Sequence, residues 1–309
     1  MGISYAKVTS ETGAYGSGTS APIATDTALK VNNIDYSVDR GVLKDETTDE
    51  EYTTGVFGGA LKVSGSFDAT FRPTAMAPLL KSLLGTDSTP GTYLLDVPVP
   101  AVIQIGEKVG SSTIAKDFYG VGVKSCEFTF EAKEFVKTKW DWFASELKNS
   151  TYDTDLTYIT EKPLVFWGAS LQSGATAIPS KSLTLTINRN IDDENFVLGN
   201  FKINSLERNG LDDISGTLTV LESQFDEMEK AEYGVKDATS IAVTNPVYEG
   251  TLTITCLRQT GGAGAVFVIP VYYSVASTTM AAGETIEKTI EYAIVKSATP
   301  FSLTITAEA

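Results

Sequence analysis

The sequence contains no histidine. That absence removes Ser-His-Asp and Cys-His nucleophilic catalysis, imidazole metal ligands and histidine proton transfer together. Cysteine is nearly absent as well, with only Cys126 and Cys256. Two thiols give no metal-site spacing. Each lies six residues after a glycine, Gly120 or Gly250, in an alternating stretch. They are therefore expected as two buried strand thiols in matching places rather than as a disulfide. Positive charge is scarce: 24 Lys and Arg stand against 39 Asp and Glu, a net charge of −15. Such a chain is a poor general binder of nucleic-acid phosphates, although it can surround nucleic acid without gripping it. No apolar run approaches the ~18 residues of a membrane helix, so no membrane partner is expected. Met1–Lys7 lacks the apolar segment of a signal peptide, which points to folding in a cytoplasm.

What the chain does have is a core. It is 309 residues long, 42% hydrophobic and 20% charged, enough for two compact domains or one duplicated one. Residues Leu61, Val63, Gly65, Phe67, Ala69 and Phe71 alternate with polar neighbours, the period of a half-buried strand. After Pro73 the period changes. Ala75, Met76, Leu79, Leu80, Leu83 and Leu84 make a helical stripe that ends at Gly85. Pro73 suits the first position of that helix.

The same order recurs. Ile214-Ser215-Gly216-Thr217-Leu218 echoes Val63-Ser64-Gly65-Ser66-Phe67. A short helix follows again, with Ser223 as its cap, Phe225, Met228 and Tyr233 as its apolar face, and Gly234 at its end. Ser64, Gly65, Gly85 and Ser215, Gly216, Gly234 thus define an internal repeat. Elsewhere alternating strands dominate, at Ala28–Val42, Phe118–Phe130, Leu183–Ile187, Leu252–Cys256, Ala265–Ser274, Ile286–Ile294 and Phe301–Ile305. Helix is scarce, so the fold class is mainly β.

A hairpin, a Ser-Gly strand, one short helix and further strands, twice in tandem, resembles the tail tube proteins of long-tailed phages. The likeness runs over roughly residues 25 to 309. It rests on the long hairpin Leu29–Phe71, the helix Pro73–Leu84 and the segment Tyr119–Lys124, Tyr-Gly-Val-Gly-Val-Lys, entering a strand. The resemblance implies two tandem tail-tube-like β-sandwich or barrel repeats, each with one short helix and a long hairpin. The expected division is a loose arm at 1–24, a first repeat at 25–155 and a second at 156–309. It also implies a structural subunit of the virion tail, assembled in the host cytoplasm. The expected partners are further copies of the chain. Three copies would make a ring of pseudo-sixfold symmetry, with the two repeats related by about 60°, and rings would stack into a tube. Tail-end proteins would meet the tube, and a tape-measure protein and DNA would occupy the lumen without specific binding. No enzyme activity, cofactor or metal is expected.

Two dense acidic runs are the candidate contact sites. Asp45, Glu46, Asp49, Glu50 and Glu51 form the tip of the first hairpin, and Asp192, Asp193 and Glu194 a shorter second tip. A solvated loop is the plain reading of such a run; docking on the next ring is the sharper one. Three other features invite other functions. The cluster Trp140, Trp142 and Phe143 would suit a β-rich surface, adhesion or carbohydrate-binding protein, the alternative reading, although core or interface packing is the stronger expectation. The acid pairs Glu50-Glu51, Asp192-Asp193 and Asp212-Asp213 would suit a glycosidase only if two carboxylates faced each other across a cleft. Gly261-Gly262-Ala263-Gly264 lacks the Lys-Ser/Thr of a phosphate loop and precedes a strand, so it reads as a hairpin turn.

Overall fold

The structure is a computed structural model that describes residues 3–17, 27–45, 55–85, 87–198, 200–221, 225–237, 240, 247–258, 263–279 and 287–306. In chain order its elements are β1 (Ile3–Ser10), β2 (Val31–Asp39), β3 (Val42–Asp45), β4 (Gly55–Gly58), β5 (Lys62–Thr70), α1 (Ala77–Leu84), β6 (Asp87–Thr89), β7 (Thr92–Leu94), β8 (Ala101–Val109), β9 (Ser112–Glu131), β10 (Lys137–Ala144) and β11 (Glu146–Ser150). They continue with β12 (Val165–Ser173), β13 (Thr176–Ala177), β14 (Ser180–Asn188), β15 (Asp213–Leu221), α2 (Phe225–Tyr233), β16 (Glu249–Leu257), β17 (Ala263–Thr279), β18 (Glu287–Ile294) and β19 (Ser302–Ile305). The class is mainly β, with every strand pairing between these elements antiparallel.

One pairing order occurs twice. In the first half neighbouring strands run β1-β8-β9-β10-β5-β2. In the second they run β12-β16-β17-β18-β15-β14. The long strands β9 and β17 each change partners midway. β8 and β11 flank the first half of β9, while β10 takes its second half. β16 and β19 flank the first half of β17, while β18 takes its second half. Both carry a bulge at the change. Asp141 faces Ser125 and Trp142 faces Val123, which leaves Lys124 extra. Glu291 faces Val275 and Tyr292 faces Tyr273, which leaves Ser274 extra. A bulge adds twist and lets one strand serve two sheets.

The repeated Ser-Gly positions acquire a reason here. Gly65 faces Trp142, and Gly216 faces Tyr292. A Cβ on Gly65 would lie 2.4 Å from Trp142 Cζ2 and 2.6 Å from the carbonyl oxygen of Asp35. A Cβ on Gly216 would lie 2.0 Å from the carbonyl oxygen of Thr184 and 2.6 Å from Tyr292 Oη. An aromatic ring covers each glycine, so only hydrogen fits between ring and strand.

The two halves share one core. Phe267 of β17 stands edge-on to Phe128 with centroids 5.2 Å apart and to Phe130 at 5.7 Å. Phe71 meets Phe128 at 5.2 Å. Trp140, Trp142 and Phe143 are all buried, so the aromatic cluster is core packing and offers no sugar platform. Helix α1 lays Leu79, Leu80, Leu83 and Leu84 into this core.

Three expectations need correcting. The stretch expected to be a loose arm is a strand over Ile3–Ser10: β1 pairs along β8, with Tyr5 and Lys7 buried. Helix α1 starts at Ala77, after a turn over 73–76, so Pro78 and not Pro73 sits in its first turn. The physical reason is the bond pattern: the Ala77 N–H reaches back three residues to the Thr74 carbonyl, not four, so 73–76 is a turn, and the Glu161 side chain accepts from the Thr74 and Ala75 N–H groups of that turn. Cys126 and Cys256 are free and buried, but they do not match. Cys126 lies in β9, whereas Cys256 lies in β16, which holds the place of β8. Burial pushes both thiols well above the ordinary range.

Candidate functional site

Strands β2, β5, β10, β9, β14, β15, β18 and β17 stand side by side in that order. Their side chains alternate, so one face carries Phe67, Trp140, Cys126, Leu185 and Leu218 into the core. The opposite face is polar, and its middle is a band of hydroxyls and carboxylates bonded across strands. Ser66 Oγ donates to Asp35 Oδ1 at 3.1 Å and Ser125 Oγ to Asp141 Oδ2 at 2.9 Å. Ser37 and Ser64 hydroxyls lie 3.0 Å apart, and those of Thr184 and Thr217 lie 2.9 Å apart. The match between halves is close: the Ser66 N–H donates to Asp35 Oδ1, and the Thr217 N–H to Thr184 Oγ1.

The charges on this face are mostly negative. At one end lysines are neutralised: Lys137 meets Glu131 and Glu134, and Lys181 meets Glu287. Across the middle Asp35, Asp68, Glu127, Asp141 and Glu291 outnumber Lys139. At the other end a cleft of about 470 Å³ lies between Asp35, Ser64, Lys124 and Asp193. Asp193 ion-pairs with Lys62 at 3.3 Å and with Lys124 at 3.2 Å. Burial pushes its carboxyl up, but the two lysines outweigh that and hold it below the usual range.

The acidic tips differ in how the structure places them. Glu46, Asp49, Glu50 and Glu51, and the side chain of Asp45, lie outside the described residues. So does Ser223, the expected cap of α2. The strands leading to the first tip, β3 and β4, form a two-stranded sheet with Leu43 opposite Phe57, both more than half exposed. In the second tip Asp193 serves its own chain, Glu194 pairs with Lys62 while its side chain stays 70% exposed, and Asp192 Oδ1 accepts from the Glu194 N–H. That tip belongs to an extension over residues 190–209, pinned by the bridges Ile191↔Arg208 and Phe196↔Ile203. Phe143, Ile191 and Ile203 form a small second core beneath it. Of the acid pairs, Asp212 is structural, since it accepts from Arg189 Nε and Arg208 Nη1.

Reasoning from sequence missed the buried charged groups, Arg189, Glu161 and Glu227 among them. Arg189 and Glu161 contact the ends of α1, and Glu227 accepts from Tyr273 Oη at 2.9 Å beneath α2. A charged residue inside an otherwise apolar pattern was the available signal. Among the described residues no group of three His, Cys, Asp or Glu is placed to hold a metal, and no helix is long and apolar enough to cross a membrane.

Two strand edges carry no partner among the described residues. β2 pairs only with β5, on one side. The second half of β17 pairs only with β18. A family model described as phage tail tube protein matches residues 3–294. No curated protein matches the chain.

Proposed function

The chain belongs to the phage tail tube protein family, a structural subunit of the virion tail that assembles into a tube, and from that premise we propose how it builds one. Each chain supplies two tube units, 25–155 with β1 added to it and 156–309. Three chains close a ring of pseudo-sixfold symmetry, in which the two units are related by about 60°. The polar face of the eight-strand row lines the channel, and the buried face holds each subunit together. DNA and a tape-measure protein pass along the wall without specific binding, because the wall repels phosphates more than it pairs with them. Tail-end proteins terminate the stack.

The observation that carries this reading is the pairing order met twice in one chain, with its bulge and its covered glycine in the same places. The predominance of carboxylates and hydroxyls over lysine on the polar face supports its place at the lumen. The rings stack through their tips: Asp45, Glu46, Asp49, Glu50 and Glu51 on the long hairpin, and Asp192, Asp193 and Glu194 on the shorter one. A surface ion pair contributes only ~0–1 kcal/mol, but a ring repeats it and a tube repeats the ring. The exposed pair Leu43 and Phe57 adds apolar area to the same hairpin.

Electron microscopy of the assembled protein tests the ring. Rings of three chains, with the two units superposing by a rotation near 60°, are the expected result; six chains per ring would overturn it. Replacing Asp45, Glu46, Asp49, Glu50 and Glu51 with Ser and Asn tests the stacking. Slower polymerisation with a changed salt dependence is expected. Wild-type rate and tube length would reduce the tip to a solvated loop.

A further inference from the structure

Asn209-Gly210 is the one place in the chain where an asparagine precedes a glycine. The pair forms a bend at the end of the extension over 190–209, shortly before β15, and both residues are exposed. Among the described residues the Asn209 side chain makes no hydrogen bond, and the Gly210 N–H donates to no group. Two groups that can react with each other are therefore free: the Asn209 side-chain amide and the Gly210 backbone nitrogen. A side chain on the following residue would shield that nitrogen, and glycine has none. Every other asparagine precedes a residue with a side chain.

We propose that Asn209 is a self-modifying site. The Gly210 nitrogen loses its proton to hydroxide and attacks Asn209 Cγ. The new N–Cγ bond closes a five-membered succinimide ring, and the side-chain nitrogen takes up a proton and leaves as ammonia. Water then opens the ring at one of two bonds. Cleavage of the N–Cγ bond gives aspartate in an unchanged main chain. Cleavage of the bond between the Gly210 nitrogen and the Asn209 main-chain carbonyl carbon gives isoaspartate, with the main chain running through Cγ. The balance is one water in and one ammonia out, with nothing oxidised or reduced. Either product places a carboxylate where an amide stood.

The fold makes the isoaspartate product consequential. Asn190 holds the chain on both sides of the reacting peptide. Its carbonyl oxygen accepts from the Asn209 N–H at 2.7 Å, and its Nδ2 donates to the Leu211 carbonyl. Asn190 is itself fixed: it stands in the left-handed region at φ 45°, and its N–H donates to Asn188 Oδ1 at 3.0 Å. Isoaspartate lengthens the main chain between the two held points by one C–C bond, ~1.5 Å. Hydrogen bonds tolerate far less stretch than that, so the clasp loses one of its two bonds. Its opening unpins the base of the extension. The Asp192 N–H, which donates to the Glu207 carbonyl at 2.7 Å, is the next bond inward. The pair thereby limits how long the second acidic tip keeps its shape. Aspartate at 209 leaves the clasp closed.

The test is ageing of the purified full-length protein, native and in parallel in denaturant, followed by tryptic digestion. The peptide over 209–230 reports the site. In the native sample it is expected to gain, with time, the mass difference between an amide and an acid, and part of it should accept a methyl group from an isoaspartyl methyltransferase. Asn209 left intact in the native protein after the denatured chain has converted would overturn the proposal. Gly210→Ala is the control. A Cβ there would lie 3.6 Å from its nearest neighbour, Asn190 Cβ, an ordinary contact, and Gly210 does not use the left-handed region. This variant should fold normally and keep its mass over the same period; equal conversion would overturn the ring-closure step. Amide hydrogen exchange reads the clasp. The Asp192 amide is expected to stay protected in fresh protein and in Asn209→Asp, and to lose protection in the isoaspartate fraction of aged protein. Unchanged protection in that fraction would overturn the release of the extension.

Discussion

Glu161 and Arg189 hold opposite ends of helix α1. Glu161 accepts from the Thr74 N–H at 3.2 Å and the Ala75 N–H at 2.9 Å, where the chain enters the helix. Arg189 is fully buried and donates from Nη1 to the Leu83 carbonyl at 2.6 Å, where the helix ends. An acid at the start and a base at the end match the helix dipole. Glu161 follows the last strand of the first half and Arg189 follows β14, so the second half fastens the helix of the first. The Leu84 and Lys81 carbonyls of the last turn also accept bonds, from the Asp96 and Val99 N–H groups.

Removing Arg189 should therefore cost more than removing Glu161. Arg189→Met leaves the Leu83 and Asp96 carbonyls without the Arg189 donor and Asp212 with Arg208 as its remaining cation. Breaking a buried pair from one side costs ~3–5 kcal/mol. Glu161→Gln keeps one acceptor for the helix entrance but loses the charge facing Arg258, a cost of ~1–3 kcal/mol. Denaturant unfolding measures both. A loss below ~1 kcal/mol for Arg189→Met would show that Arg189 does not hold the helix.

Gly65→Ala and Gly216→Ala should each destabilise the fold by ~1–3 kcal/mol, the usual cost of overpacking. In both the new Cβ meets a carbonyl oxygen of the neighbouring strand as well as a ring. Gly216→Ala presses on β14, which is packed on β9. Gly65→Ala presses on β2, whose other edge has no partner among the described residues. The larger loss of melting temperature is expected from Gly216→Ala, and equal or reversed losses would contradict the reading of β2 as the looser strand.

Cys126 and Cys256 should not react with a thiol reagent in the native protein. Both are fully buried, and burial disfavours the thiolate that reacts. Two thiols per chain should titrate only after denaturation. Rapid labelling of either in the folded protein would show that its strand opens.

The Asp193 ion pairs predict acid sensitivity at one end of the polar face. The folded carboxyl titrates below its ordinary value, about 3.9. Its contribution to stability is complete above that value and is lost as pH falls through the lower folded value. Thermal unfolding followed from about pH 7 to about pH 3 should show a smaller fall for Asp193→Asn than for the wild type. Equal falls would mean that Lys62 and Lys124 do not stabilise the carboxylate.

The sequence by itself determined the class of this protein and much of its order. Alternation of Val63, Gly65, Phe67 and Ala69 fixed a strand with one buried face, because a period of two allows no other helix or face. The leucine stripe before Gly85 fixed a helix, and the apolar positions Phe225, Met228 and Tyr233 before Gly234 marked a second one. Local periodicity carries that information without any partner. The helix starts at Ala77 and not at Pro73 because 73–76 is a turn, its Ala77 N–H reaching back three residues to Thr74, and Glu161, far along the chain, holds that turn by the N–H groups of Thr74 and Ala75. Residues 3–10 became a strand because β8 offered them an edge, which their small and polar neighbours at 9–18 concealed. Only the tertiary structure decided that Trp142 and Tyr292 cover the two glycines, that Cys126 and Cys256 sit in unlike strands, and that β9 closes on β14 while β2 and the second half of β17 each keep one edge without a partner among the described residues. Each of these is a pairing between residues distant in sequence, and register between distant strands is set by the whole packed face, not by any segment of it.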